Sequence, residues 1–73
     1  MTLDKAQKGQ KIHIQKIADQ KLRDQIIRLG IYEGAKVTCA GKIGGGPIVI
    51  KNRLQEIAIG QGLAEKIFIE LIN

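Results

Sequence analysis

In five short stretches between Lys11 and Ile72 the aliphatic side chains return at every second residue, the period of an extended chain with one face on a core. Lys11 to Lys16 sets Ile12 and Ile14 on one face and Lys11, His13 and Gln15 on the other, while Ile17 breaks the parity and marks the strand's end or a bulge. Ala35 to Ile43 repeats the pattern, with Val37, Cys39 and Ile43 on one face. Pro47 to Lys51 turns Ile48 and Ile50 one way and Val49 the other. After a turn at Asn52 and Arg53, Gln55 to Ile59 directs Ile57 and Ile59 inward, and Ile67 to Ile72 does the same with Ile67, Ile69 and Leu71.

Two stretches depart from this period. Asp19 stands where a helix N-cap belongs, and Leu22, Ile26 and Leu29 follow at i, i+4 and i+7, predicting a helix of about three turns. Lys21, Asp24, Gln25 and Arg28 fall on its outer side, where Asp24 and Arg28 are spaced to pair for about 0.3 kcal/mol. Gly30 ends it, because glycine takes the left-handed C′ conformation at little cost. Later, Gly60-Gln61-Gly62 breaks the fourth strand and Leu63 to Lys66 leaves room for one helical turn.

The chain is therefore expected to be mainly β with short helices: about five strands, one helix after the first strand and one helical turn before the last. Closure into a small barrel would remove edges that so small a sheet cannot cover. The 73 residues form a single domain, 1–73, without repeat or linker. Burying a large aliphatic side chain is worth roughly 1.5–3 kcal/mol, so in a chain this short every apolar face must share one core. The expected core is Ile12, Ile14, Leu22, Ile26, Leu29, Val37, Cys39, Ile48, Ile50, Ile57, Ile59, Leu63, Ile67 and Ile69.

Gly44-Gly45-Gly46-Pro47 suggests a phosphate cradle, but such a loop joins a strand to a helix, offers successive N–H groups and continues with Lys-Ser or Lys-Thr. Here it joins strand to strand, and Pro47 removes an N–H where the cradle would need one. It is expected to be a hairpin turn.

Composition narrows the chemistry. A lone cysteine, Cys39, permits neither an internal disulfide nor a Cys-x-x-Cys metal site. No apolar run approaches the roughly 18 residues of a membrane span and MTLDKAQKGQ lacks a signal peptide's apolar stretch, so a cytoplasmic protein without direct membrane insertion is expected. One His, one Cys, two Thr and no Ser leave no pairing of nucleophile with base, and no close-spaced ligand pair. No catalytic residue, metal ligand or cofactor is therefore assigned. The net charge of +5 is spread over scattered lysines and arginines, a solvated surface or one that attracts an anionic partner. With only Tyr32 and Phe68 as aromatic platforms, no specific nucleic-acid binding is expected.

Leu22, Ile26, Leu29, Gly30, Ile31, Gly34 and Val37 match the pattern L-x-x-x-L-x-x-L-G-[LI]-x-x-G-x-x-[VI], followed by Gly46-Pro47-Ile48, Ile57-Ala58-Ile59, Leu63-Ala64 and Ile67. On these residues the chain resembles the FeoA family, the small ferrous iron transport protein A. The resemblance covers Leu3 to Glu70 and implies an SH3-like β-barrel, a fold also found as the tail domain of iron- and manganese-dependent repressors. A chain of this length with its own Met and no DNA-reading helix ahead of the barrel is similar to the standalone accessory. What the resemblance implies is a non-enzymatic cytoplasmic protein of ferrous iron uptake that docks on the GTPase domain of the ferrous iron permease FeoB. The triple glycine and the short Asn52-Arg53-Leu54 turn depart from common members.

Two regions are the candidate docking surfaces. One is the outer helix face with Lys21, Arg23, Gln25 and Arg28, together with the connector residues Ile31 and Tyr32, where Tyr32 presents a rigid ring at low entropic cost. The other is the glycine hairpin with Ile43. An SH3-like module assisting a metal-dependent transcriptional regulator and a small RNA-associated barrel stay open as alternatives, and the sequence does not specify an oligomeric state.

Overall fold

The structure, a computed structural model, describes residues 1–53 and 55–72. A 3-10 turn, Leu3–Lys5, precedes strand β1 (Lys11–Ile17), helix α1 (Gln20–Ile26) and a second 3-10 turn, Ile27–Leu29. Strands β2 (Lys36–Lys42), β3 (Ile48–Asn52) and β4 (Gln55–Ile59) follow, then helix α2 (Gln61–Ala64) and strand β5 (Ile67–Ile72). All neighbours are antiparallel, in the order β4-β3-β2-β1-β5. This is the SH3-like class, mainly β, with α1 after the first strand and α2 before the last.

Closure is not completed by hydrogen bonds, because β4 and β5 end the sheet and do not pair. The nearly equal extents of 26 × 24 × 24 Å nevertheless fit a sheet rolled around its core. The two edges are treated differently. Thr2 bridges Phe68, and the Ile69 N–H donates to the Met1 carbonyl at 2.8 Å, so the chain's own start covers part of β5. That strapping carries Leu3 and Ala6 into the core, where both are fully buried, although neither lies in an alternating stretch.

Two bulges explain where parity fails. The β1–β5 register shifts between Ile14 and Lys16, so Ile17 returns to the inner face, pairs with Ile67 and is buried. In β2 the register shifts between Cys39 and Gly41, the latter at φ 135°. This reverses the facing of the residues beyond, so Ile43 leaves the face of Val37 and Cys39 and stands 61% exposed beyond the strand's end. The hairpin is a turn, as expected: Gly46 N–H donates to the Ile43 carbonyl at 2.9 Å and Ile43 N–H to the Pro47 carbonyl at 3.0 Å. Of the turn at 52–54, Leu54 lies outside the described residues.

Helix α1 begins on Asp19, whose carboxylate accepts the Leu22 N–H at 3.2 Å. Its last turn, Ile27–Leu29, is 3-10, and Gly30 ends it in the left-handed conformation, as expected. Gly30 at φ 83° directs its N–H to the Ile27 carbonyl, and Ile31 N–H reaches the Ile26 carbonyl, the paired bonds of a Schellman motif. The reversal drives Ile31 into the core, 0% exposed, and leaves Leu29 39% exposed. Leu29 is thus not the core residue its helical spacing indicates, and Ile31 is not free to contact a partner. In α2, starting after Gly60, the buried position falls on Ala64 and Leu63 is 42% exposed, again contrary to its expected place in the core. Ile57 is partly buried against the cluster. No buried polar or charged residue interrupts the core among the described residues.

Candidate functional site

Because Ile31 folds inward, the exposed groups at the end of the helix include Ile27, Arg28, Leu29 and Tyr32, and of these Arg28, Leu29 and Tyr32 line a groove. Across from them the β3–β4 turn brings Asn52, Arg53 and Gln55, and the start of β2 brings Ala35 and Lys36. Between these walls the groove is open, about 600 Å³ in volume, with Gly30 on its lining. Asn52 Nδ2 donates to the Gly30 carbonyl at 2.9 Å and fixes one wall against the other. Glycine is favoured here by its positive φ, and an added Cβ would push the Asn52 amide from its place.

The groove's charge is one-sided. Arg28, Lys36 and Arg53 line it and, among the described residues, no carboxylate does. The expected Asp24–Arg28 pair is not formed, and the ion pair found among the described residues, Lys66 Nζ to Asp19 Oδ2 at 3.2 Å, involves none of the three. At that other site the Leu22 backbone N–H, and next the Lys66 ammonium, hold the Asp19 carboxyl below the usual carboxylate range. Arg53 sits at φ 57°, the left-handed region that glycine or asparagine ordinarily fills, and is the one non-glycine residue with positive φ among the described residues.

Of the residues singled out from the sequence, the structure gathers Arg28 and Tyr32 into this groove. Lys21 and Gln25 are exposed on α1 but do not line it. Arg23 is half-buried, with an Nε that is shielded from solvent and has no hydrogen-bond partner among the described residues, so the helix face is less open than the outer-side reading implied. Ile31 is enclosed. Ile43 marks a separate patch at the β2–β3 hairpin and is not among the groove's lining residues. The cationic wall formed by Lys36 and Arg53 has no periodic signature. The available signal was an arginine directly after Asn52 in a tight hairpin turn.

For metal or covalent chemistry the described residues offer no group of three or more His, Cys, Asp or Glu side chains able to hold an ion. Cys39 is a free, buried thiol on the core side of β2. No described helix is long and apolar enough to cross a membrane.

The comparisons agree with this architecture. A family model described as FeoA domain matches residues 1–71. The structure is similar to the NMR structure of a FeoA-like protein from Clostridium acetobutylicum, at 24% identity and TM-score 0.85 over 100% of this chain and 87% of that one. It is similar to a crystal structure of an iron uptake regulatory protein (FeoA), at 25% identity and TM-score 0.86 over 99% and 96% of the two chains. It also resembles ScaR crystallised with bound Zn²⁺, at 22% identity and TM-score 0.85, over 99% of this chain but 37% of that one. No curated protein matches significantly.

Proposed function

The chain belongs to the FeoA domain family, and from that premise we propose that it is a non-enzymatic accessory of ferrous iron uptake, acting at the cytoplasmic face by docking on the GTPase domain of the permease FeoB. The observation that carries the reading is the groove: Arg28 and Tyr32 line it together with two further cations, with no acid paired to them among the described residues. A surface of this kind recognises a macromolecule by charge and one or two anchoring side chains. Its effect on the partner needs no chemistry of its own. A domain that contacts two conformations of a GTPase unequally shifts the balance between them by the difference in affinity.

The test is retention of the soluble GTPase domain of the host's ferrous permease on the immobilised protein, in nucleotide-free, GDP and GTP-analogue states. Retention in at least one state, lost with Arg28→Glu and reduced with Tyr32→Ala, is expected. Absence of retention in all three states would overturn the proposal.

The likeness to ScaR favours a second reading, in which the module assists a metal-dependent regulator. At 22% identity that likeness speaks to fold alone. A change in a repressor's DNA affinity on adding this protein would support it.

A further inference from the structure

We infer that the groove is shaped for an acidic, extended protein segment carrying one apolar side chain; that the partner supplies this segment rests on the adaptor reading above.

Three cations reach the groove from three separate parts of the chain, Arg28 from the helix end, Lys36 from the start of β2 and Arg53 from the β3–β4 turn, and none has an acidic partner among the described residues. Converging like charges raise the local potential and select an anion, and a guanidinium binds a carboxylate through two parallel N–H donors. Arg53 holds a left-handed backbone conformation that glycine would adopt with less strain. In a turn with no steric need for arginine, its side chain is the feature gained.

The rest of the lining decides which anion. Leu29, displaced from the core by Ile31, and Tyr32 both line the groove with their side chains exposed, so apolar surface accompanies the cationic rim. Inorganic phosphate would leave that surface wet. A nucleic-acid strand would need successive rings for its bases, and the groove has one, Tyr32. An acidic segment with a single apolar residue satisfies both: carboxylates on the rim, the apolar side chain on Leu29 and Tyr32. The volume of about 600 Å³ suits a short segment, and the exposed amide of Gln55 on the same lining can pair with its main chain.

The probe is a synthetic octapeptide of glutamates around one central leucine, titrated into the full-length ¹⁵N-labelled protein. Controls are the lysine-for-glutamate peptide, an eight-nucleotide oligothymidylate and inorganic phosphate. Saturable shifts at the amides of Tyr32, Ala35, Lys36 and Gln55 are expected, with affinity at least about tenfold weaker in Lys36→Glu with Arg53→Glu, whose native-like spectrum reports an intact fold. No saturable shifts, shifts centred on Ile43, or tighter groove binding by the oligothymidylate or phosphate would overturn the inference. The same double variant in the GTPase-domain experiment separates the two claims. Equal retention by wild type and variant refutes the acidic segment and leaves the adaptor reading standing. No retention by wild type refutes the adaptor reading, while the peptide titration still decides the groove's chemistry.

Discussion

Asn52 and Gly30, 22 positions apart in sequence, are joined by a hydrogen bond from the Asn52 side-chain amide to the Gly30 carbonyl at 2.9 Å. The bond fastens the end of β3 to the end of the helix, and its amide stands where a Cβ at position 30 would point.

That arrangement makes two substitutions non-additive. Gly30→Ala meets both a positive φ and the Asn52 amide, and a loss of about 2 kcal/mol or more is expected in chemical denaturation. Asn52→Ala removes a hydrogen bond, for about 1 kcal/mol. In the double variant the collision is absent, so Gly30→Ala costs less there than in wild type, with a coupling of at least about 0.5 kcal/mol. Additive losses would show that the contact does not constrain Gly30.

Ile31 and Leu29 exchange the roles their spacing suggests. Ile31→Ala is expected to cost about 2–5 kcal/mol, and Leu29→Ala under about 1 kcal/mol while weakening partner binding. Thermal unfolding of the two variants ranks them directly. The reverse ranking would put Leu29 in the core.

Asp19 links stability to pH. Its folded-state carboxyl titrates below the unfolded value, so the folded protein binds fewer protons there. The resulting stability is present above the unfolded pKa of about 3.9 and is lost as pH falls through the folded value. Asp19→Asn keeps a capping oxygen but removes this titration and the pairing with Lys66. Denaturation midpoints followed from about pH 6 downward should therefore fall less steeply for Asp19→Asn than for wild type. Identical slopes would assign the acid sensitivity to other carboxylates.

Arg53→Gly separates function from stability. Relief of the left-handed strain, offset by glycine's greater freedom in the unfolded chain, is expected to leave stability unchanged or raise it by up to about 1 kcal/mol. Binding to the acidic peptide should weaken. A stability loss without a binding loss would give Arg53 a purely structural role.

The elements were readable because each announces itself over a few neighbouring residues. Alternation marked all five strands, Asp19 the start of α1 and Gly30 its reversal. Features that depend on distant segments were not readable in the same way. Helical spacing placed Leu29 inward, whereas the Schellman bonds that substitute Ile31 are a three-dimensional event at the chain reversal. Leu3 and Ala6 are buried by a strap across β5 that no local period encodes. The groove draws its lining from the helix end, the start of β2 and the β3–β4 turn, so Arg28 and Tyr32 could be nominated singly, whereas Arg53 had only its place after Asn52 in a turn as a cue and Lys36 had none.

The most direct measurement of the central claim is calorimetric titration of the permease's soluble GTPase domain with this protein, at about 50 and about 300 mM salt, using wild type, Arg28→Glu and Lys36→Glu with Arg53→Glu. One-site binding that weakens with salt and falls at least about tenfold in each charge-reversed protein is expected. Binding whose strength is indifferent to salt and to all three charges, or no binding in any nucleotide state, would contradict it.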